Sequence, residues 1–266
     1  MFEELEKNGL VILQEKSLSE LPWLRHGFST RPGGASAFPK DSLNLGFVPE
    51  DSRDAVLANR KLFYEAVGVT GFAHLQLRQV HSDRVLCANN LEDIETRNSA
   101  DAAITGLPKL ALTVLTADCV PVIVADPDRH VISVVHAGWR GTLQQVLYKT
   151  LERLHADFQC SPGNLRVALG PSIRACCYEV ENDVREAFET AEISTEPWFI
   201  SIDAASKKFR MDLIAANLEQ LKSAGVPPSN VAVAPDCTAC HTEKYFSHRR
   251  EAGKTGRLMA LVAISP

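Results

Sequence analysis

Three segments of the chain place side chains that commonly bind metal ions at the ends of predicted strands. His81 lies in QVHS, Cys119 in TADC, and His136 at the start of HAGWRG. Two imidazoles and one thiolate form a set of three zinc ligands that leaves a fourth position open, as catalytic zinc sites do. Zn²⁺ lowers the pKa of a bound water to about 7 and so generates hydroxide at neutral pH. Taken singly, each residue is also typical of a hydrogen-bonded histidine or a buried thiol, so the zinc prediction requires all three to converge.

A glycine-rich turn follows His136. Gly138 and Gly141 flank Trp139 and Arg140 where a helix is predicted to begin. Free backbone N–H groups at a helix start, together with the helix dipole and Arg140, suit an anion. The alternative is an ordinary strand-to-helix turn that uses glycine for tightness.

The C-terminal part contains one C-x-x-C pair, Cys237 and Cys240. A lone pair of this kind is a weak signal, and no second pair completes a four-cysteine zinc site. Cys176 and Cys177 could nevertheless lie nearby. The sequence assigns no role to these four cysteines.

Basic residues near aromatic rings suggest contacts to a phosphate and a planar base. Arg249 and Arg250 closely follow Tyr245 and Phe246, and arginine pairs well with phosphate oxygens. The alternative is a solvated basic loop packed by two aromatic residues. Further polar candidates in the N-terminal part are Arg31, Asn44 and Arg60.

The elements that must position these residues alternate between strands and helices, which predicts a mixed α/β fold with helices packed on β-sheet. Two of the strands are almost unbroken apolar runs, which indicates that both of their faces are covered. The segment 30–51 is predicted to be an ordered loop. The predicted strands are 10–13, 24–28, 73–77, 84–87, 102–105, 110–116, 120–125, 131–136, 165–169, 231–234 and 258–264. The predicted helices are 52–67, 142–158, 182–191 and 211–224.

Composition excludes several classes of protein. The 266 residues are 45% hydrophobic and 23% charged, as in an ordinary globular protein, and we expect a single domain over 1–266. A net charge of −5 provides no broad basic surface for nucleic acid. No apolar run reaches the roughly 20 residues of a membrane span, and the acidic N-terminus is unlike a signal peptide. Seven cysteines, an odd number, favour a reducing compartment. We therefore expect a cytoplasmic protein, and a monomer because nothing marks an interface.

Taken together in order, these segments resemble the YfiH-like family, also called the laccase-domain or polyphenol oxidase family. The resemblance implies a layered α/β/β/α arrangement with mixed sheets, and a zinc ion bound by His81, Cys119 and His136. The HAGWRG motif is the most specific part of it. The matching segments are GFSTRPGG (27–34), SLNLGF (42–47), NR (59–60), QVHS (79–82), ADAAIT (100–105), LTADCVPV (115–122), HAGWRGT (136–142), GPSIRACCYEV (170–180), YFSHRR (245–250) and TGR (255–257).

The family includes purine nucleoside phosphorylases and a peptidoglycan-editing factor. The resemblance therefore implies phosphorolysis of adenosine, inosine, guanosine and methylthioadenosine, and hydrolytic deamination of adenosine. It also implies that Ser29, Asn44 and Arg60 lie near the substrate. In phosphorolysis an arginine-held phosphate attacks C1′ of the ribose. In deamination Asp118 is the candidate acid that helps ammonia leave, although neighbouring residues of a strand point to opposite faces.

Other mechanisms use the same residues. Cys119 as nucleophile and His136 as base would make a metal-free cysteine hydrolase or deamidase. A multicopper oxidase is disfavoured because the chain has only eight histidines and no H-x-H pair, but copper at the same three ligands remains an alternative. A non-enzymatic alternative is a zinc-stabilised binding module that acts in cell-wall precursor editing or nucleotide homeostasis.

Overall fold

Two six-stranded sheets form the centre of the molecule, in a computed structural model that describes residues 1–37, 40–90, 99–193, 196–203 and 207–266. The strands are β1 (Phe2–Lys7), β2 (Leu10–Glu15), β3 (Leu24–Ser29), β4 (Pro32–Ala37), β5 (Lys40–Ser42), β6 (Ala73–Gln76), β7 (Val85–Cys87), β8 (Ala102–Thr105), β9 (Leu110–Thr116), β10 (Val120–Asp126), β11 (Val131–Ala137), β12 (Arg166–Leu169), β13 (Glu179–Val180), β14 (Phe199–Asp203), β15 (Lys208–Met211), β16 (Val231–Val233) and β17 (Leu258–Ile264). The helices are α1 (Lys16–Ser19), α2 (Arg53–Val67), α3 (Trp139–Leu143), α4 (Val146–Phe158), α5 (Asn182–Thr190) and α6 (Leu213–Ser223).

Both large sheets are mixed. The first has the order β1-β2-β3-β17-β9-β6 and the second the order β16-β12-β10-β11-β8-β7. Most neighbours are antiparallel, whereas β6 with β9, β7 with β8, and β12 with β16 run parallel. The parallel pairs matter for function because strands that run the same way bring their following loops to the same edge.

The sheets face each other across a shared apolar core. Val114 and Val262 of the first sheet and Ile123 and Val134 of the second belong to this core. Helix α2 covers the outer face of the first sheet, and α4, α5 and α6 cover the outer face of the second. Because the central strands are covered on both faces, β10, β11 and β17 are buried along their whole length. The predicted layered α/β/β/α arrangement is confirmed.

The predicted continuous helix over 142–158 is wrong. Its place is taken by α3 and α4, which are separated at Gln145, a residue with a left-handed φ of 62°. Side chains of α6 hold the end of α3, because Asn217 Nδ2 donates to Thr142 Oγ1 at 3.0 Å and Gln220 Nε2 donates to the Thr142 carbonyl at 2.8 Å. These contacts join residues that are far apart in the sequence, so the helical periodicity of 142–158 could not indicate them. Helix α3 begins at Trp139, with one residue between it and the end of β11.

Short strands lie where a loop was expected. The segment predicted as an ordered loop over 30–51 contains β4 and β5, which pair with each other; residues 38–39 of that segment lie outside the described residues. The short sheet β13-β15-β14 and the edge strand β1 were also not predicted. Within the described residues, no helix combines the length and the hydrophobicity that crossing a membrane requires.

Candidate metal centre and its cavity

The three predicted metal ligands converge at one end of the two sheets. Cys119 lies in the connection from β9 in one sheet to β10 in the other, and His81 lies in the connection from β6 to β7, which also joins the sheets. Strand pairing brings these connections to one edge, because β6 runs parallel to β9 and Pro121 of β10 pairs with His136 of β11. One potential ligand atom from each of the three residues lies within 4.8 Å of the others.

A buried carboxylate shapes the loop that carries His81. The backbone N–H groups of Val80, His81 and Ser82 donate to Asp101 at 3.2, 3.0 and 2.6 Å, and the Ser82 hydroxyl donates to it at 2.8 Å. His81 has a φ of 58°, a left-handed conformation that is uncommon for residues other than glycine. The hydrogen bonds to Asp101 therefore hold the loop in a conformation that presents the His81 ring toward the other two ligands.

The same carboxylate orients His136. Nδ1 of His136 lies 2.9 Å from Oδ1 of Asp101. Burial by itself raises the pKa of Asp101, but hydrogen bonds from His136 and Ser82 lower it to about 2. Since an ionised carboxylate can only accept, Nδ1 carries the hydrogen and Nε2 is the ring atom available to a metal. A histidine oriented by a carboxylate is the usual arrangement around a zinc ligand.

The surroundings of Cys119 favour ionisation of its thiol. Burial by itself raises the pKa of its thiol, but the charge of His136 and hydrogen bonds from His136 and His81 lower it to about 6. Burial also opposes the charge on His136, yet Cys119 and Asp101 raise the pKa of that imidazole to about 9. In the metal-free chain the two residues therefore favour a thiolate beside an imidazolium. A thiolate is the form of cysteine that binds metal ions or attacks as a nucleophile.

Gly138 allows the ligands to approach the backbone. A Cβ atom at this position would lie 2.9 Å from Sγ of Cys119 and 3.0 Å from Cδ2 of His81, closer than side chains pack. The absence of a side chain at Gly138 therefore allows Cys119 and His81 to approach the backbone after β11.

The three ligands open into a cavity of about 670 Å³. This volume is within the usual range for small-molecule sites, roughly 300–1,000 Å³. Its walls combine aromatic, basic and polar side chains. The lining residues are Gly46, Phe47, Val48, Gln76, Leu77, Gln79, His81, Leu115, Thr116, Ala117, Asp118, Cys119, His136, Trp139, Arg140, Tyr178, His248, Arg249 and Arg257.

Arginines without a carboxylate partner give the cavity a positive lining. Within the described part of the chain, Arg140, Arg249 and Arg257 form no ion pair within 4 Å; the arginines that do are Arg31, Arg153, Arg166 and Arg185. The guanidinium of Arg140 lies 4.3 Å from the ring centroid of Trp139, and that of Arg249 lies 5.2 Å from the ring centroid of Tyr178. An anion that enters the cavity therefore meets three guanidinium groups that form no ion pair among the described residues, although the Asp118 carboxylate lines the same cavity.

Asp118 supports the cavity wall with both carboxylate oxygens. Oδ1 accepts a hydrogen bond from the Thr238 hydroxyl at 2.6 Å, and Oδ2 accepts one from the Arg249 backbone at 2.7 Å. The residue has a φ of 90°, so strand alternation does not decide where its side chain points. Its predicted role as an acid stays a prediction, while its contacts are those of a group that positions Arg249.

Two of the predicted substrate residues contact other parts of the protein. Ser29 is buried, and its Oγ accepts a hydrogen bond from the backbone N–H of Met259 at 2.9 Å. Arg31 donates to the Thr242 carbonyl at 2.7 Å and forms an ion pair with Glu251 at 3.0 Å. Neither residue lines the cavity. Their assignment to substrate binding stays a prediction.

Asn44 and Arg60 lie one layer behind the cavity wall. Oδ1 of Asn44 accepts hydrogen bonds from the backbone N–H groups of Gly46 and Arg257 at 3.0 and 2.9 Å. The guanidinium of Arg60 lies 4.5 Å from the ring centroid of Phe47 and donates from Nε to the Leu45 carbonyl at 2.9 Å. Both residues therefore support cavity-lining residues, and direct substrate contact stays a prediction.

Several residues of the site were not chosen from the sequence. Asp101 and Arg257 lie within the motifs ADAAIT and TGR, so the resemblance contained a signal for both. Tyr178, also inside a matching segment, lines the same cavity. Phe47 ends the segment SLNLGF and His248 lies inside YFSHRR, and no pattern of spacing indicated that the two would line the same cavity.

Comparison with known proteins identifies the family. A family model described as multi-copper polyphenol oxidoreductase laccase matches residues 25–265. The chain belongs to this family, and the resemblance to YfiH-like proteins is confirmed.

Relatives and solved structures agree over nearly the whole chain. A purine nucleoside phosphorylase of Deinococcus radiodurans is 34% identical over 257 residues, which cover 96% of this chain and 94% of the relative. The purine nucleoside phosphorylase YlmD of Geobacillus stearothermophilus is 33% identical over 254 residues, covering 89% and 88%. The crystal structure of YfiH from Bacillus licheniformis matches with a TM-score of 0.89 at 28% identity, covering 99% of both chains. That of Geobacillus stearothermophilus YlmD matches with a TM-score of 0.87 at 27% identity, covering 100% of this chain and 99% of YlmD.

Proposed function

We propose that this chain is a zinc-dependent purine nucleoside phosphorylase that also deaminates adenosine. Its proposed substrates are phosphate and the nucleosides adenosine, inosine, guanosine and methylthioadenosine. The observation that carries the proposal is that His81, Cys119 and His136 face a cavity lined by three arginines that form no ion pair within 4 Å among the described residues. The names of the relatives support the same class of reaction.

The three residues suit zinc. Two imidazoles and a thiolate are ligands that zinc prefers, and a three-ligand set leaves a position open, as catalytic zinc sites do. The exposed side of the set faces the cavity, since all three residues line it. The Asp101 carboxylate keeps the hydrogen on Nδ1 of His136 and leaves Nε2 for the metal. Zinc bound there supplies Lewis-acid chemistry at the reacting centre.

The arginines suit the second substrate. Arg140, Arg249 and Arg257 line one cavity, and their forked donors bind phosphate oxygens in pairs. Burial lowers the pKa of Arg257, and the charges of Cys119, Glu50 and Asp118 oppose that effect. Such an arginine gains an ionic partner when phosphate binds.

Aromatic side chains suit the purine. Phe47, Trp139 and Tyr178 line the same cavity, and planar rings stack on purine faces.

With the base held in this way, an oxygen of the bound phosphate attacks C1′ of the ribose. The C1′–N9 bond breaks and its electron pair leaves with the purine, which takes up the proton that the phosphate loses. The products are the free base and ribose 1-phosphate, or 5-methylthioribose 1-phosphate when methylthioadenosine is the substrate.

Deamination of adenosine is proposed for the same site. The open side of the ligand set admits a water molecule next to the base. Water adds at C6 of adenine and ammonia leaves, which converts adenosine to inosine. Deamination requires no phosphate, whereas phosphorolysis does. Assays with and without phosphate therefore distinguish the two reactions.

The pairing of Cys119 with His136 favours a second candidate function. A thiol whose pKa is lowered to about 6, beside an imidazole whose pKa is raised to about 9, resembles the nucleophile and base of a cysteine hydrolase. This candidate needs no metal. Its signature would be a purified protein without stoichiometric metal, in which iodoacetamide modifies Cys119 and abolishes hydrolysis.

Product analysis with adenosine tests the proposal. We expect adenine and ribose 1-phosphate only when phosphate is present, inosine with or without phosphate, and loss of both reactions after a chelator has removed the metal. Cys119→Ala should lose both activities, whereas Cys87→Ser, a thiol outside the cavity, should keep them. Metal analysis of the active protein distinguishes zinc from copper. Full activity of metal-free Cys119→Ala would refute the proposal.

A further inference from the structure

Four cysteines outside the cavity ligand set form a second cluster. Cys176 and Cys177 lie in the loop that follows β12, and Cys237 and Cys240 lie in the loop that follows β16. Strands β12 and β16 run parallel, so both loops leave the sheet at one edge. A parallel bridge between Ser172 and Cys237 extends that pairing beyond the strands. The topology therefore brings together residues that are about sixty positions apart.

The sulfur atoms are spaced as in a metal centre. Sγ of Cys240 lies 3.6 Å from Sγ of Cys176 and 3.4 Å from Sγ of Cys177, and the four sulfurs all lie within 4.8 Å of one another. Zn–S bonds of about 2.3 Å in a tetrahedron place sulfurs about 3.8 Å apart. The four cysteines are free thiols. The spacing is therefore compatible with one metal ion between four thiolates.

A backbone N–H donor and a buried guanidinium lie beside the cysteine cluster. The backbone N–H of Arg174 donates to Sγ of Cys237 at 3.4 Å. The positive charge of Arg174 interacts with Cys176 and Cys237. Its buried Nε has no hydrogen-bond partner within the described residues. A cluster of negatively charged thiolates would be stabilised by these donors.

We propose that Cys176, Cys177, Cys237 and Cys240 form a second metal site, a closed tetrathiolate centre of the structural zinc class. Four sulfur ligands select zinc or another soft-ligand metal and fill its coordination sphere. The centre therefore leaves no position for substrate. It is distinct from the set of His81, Cys119 and His136, and it goes beyond the proposed enzymatic function.

The position of the cluster gives this metal ion a structural task. It joins the loop that carries Tyr178 to the loop that carries Thr238, the residue whose hydroxyl donates to Asp118. Arg249 Nη1 also donates to the Glu179 carbonyl, so the two segments meet again beside the cavity. A metal ion between the loops would brace one wall of the cavity without touching the substrate.

Metal content tests the proposal independently of any turnover. The chain is purified in reducing buffer without chelator, and zinc is counted by mass spectrometry. We expect about two zinc ions per wild-type chain, about one in Cys240→Ser, about one in Cys119→Ala and none in the double variant. Cys87→Ser, a cysteine outside both clusters, serves as the matched control and should keep about two. Cys119→Ala loaded with Co²⁺ should show the strong near-ultraviolet sulfur-to-cobalt absorption of four thiolates.

Three results would overturn the proposal. The first is a Cys119→Ala protein that holds no metal, and the second is a Cys240→Ser protein that holds as much as the wild type. The third is a thiol titration of the denatured, metal-stripped chain that finds two fewer than its seven cysteines, because a disulfide would then join members of the cluster. If Cys240→Ser fails to fold, the metal count and cobalt spectrum of Cys119→Ala still show whether the four cysteines bind a metal ion. A chain that binds both metals but phosphorolyses no nucleoside would refute the proposed function alone.

Discussion

Oδ1 of Asp101 lies 2.9 Å from Nδ1 of His136, and both side chains are buried. The same carboxylate accepts the backbone N–H groups of Val80, His81 and Ser82. One side chain therefore sets the ring orientation of one proposed ligand and the backbone conformation of another. Residues of this kind, which contact the ligands and not the metal, commonly decide metal affinity.

Replacing Asp101 with asparagine should weaken metal binding. In Asp101→Asn an amide NH₂ would face N–H donors that now meet a carboxylate, so both the His136 ring and the His81 loop would lose their support. We expect zinc affinity at the cavity site to fall by about 10- to 100-fold. Competition with a chromophoric chelator measures it. Asp126→Asn changes a buried carboxylate elsewhere and should leave the affinity unchanged; equal affinity of the Asp101 variant and the wild type would contradict the assignment.

Adding one methyl group after β11 should displace the ligands. A Cβ in Gly138→Ala would lie 2.9 Å from Sγ of Cys119, so the thiolate and the His81 ring would have to move apart. We expect the variant to lose zinc from the cavity site while it keeps its secondary structure, as measured by metal analysis and circular dichroism. Gly163→Ala is the matched control, since its nearest neighbour would be Ser161 Oγ at 3.9 Å. Normal zinc content in Gly138→Ala would show that the close approach is not required.

Removing a cavity arginine should affect phosphate more than nucleoside. Arg257→Gln removes a charged donor from the lining, and a hydrogen bond to a charged group contributes about 1.5–3 kcal/mol. We therefore expect the KM for phosphate to rise by about 10- to 100-fold, while the KM for the nucleoside changes less. Steady-state kinetics with each substrate varied in turn measures both. Arg84→Gln, an exposed residue outside the cavity, should change neither. A selective rise in the nucleoside KM would instead assign Arg257 to the base or the ribose.

The buried His26 should make the fold sensitive to acid. Burial lowers the pKa of this imidazole from 6.5 to about 4, and its Nε2 accepts a hydrogen bond from the Glu15 backbone at 2.9 Å. The unfolded chain therefore binds a proton that the folded chain excludes, so stability is present above about pH 6.5 and is lost as the pH falls toward about 4. We expect this one residue to lower the free energy of unfolding by about 2 kcal/mol between about pH 7 and about pH 5.

Urea titrations at several pH values measure that loss. A His26→Gln variant keeps a hydrogen-bond acceptor but has no proton to gain, so its stability should fall less over the same interval. The exposed residue His155 provides the matched control as His155→Gln and should behave like the wild type. An identical pH dependence in His26→Gln and the wild type would rule out His26 as the source.

The elements that form the core were predictable because their patterns are local. The apolar character of β9, β10, β11 and β17 indicated strands, two of them with both faces covered, and the bounds of all four follow the predicted ones within a residue. The predicted helix over 142–158 failed at Gln145 because α6 side chains bind the end of α3. Such contacts join residues more than seventy positions apart, and they leave no periodicity in either segment.

The sequence by itself determined the family, the layered class of fold and the types of residue at the proposed metal site. Motif identity and apolar patterning are properties of short segments, and short segments can be read without the fold. Only the tertiary structure decided which side chains share a cavity. It brought Arg257 and Tyr178 to the cavity wall and put Ser29 and Arg31 elsewhere. It also gathered Cys176, Cys177, Cys237 and Cys240 into one cluster. The reason is that parallel pairing of distant strands aligns their loops, and pairing across such distances depends on the whole packed core.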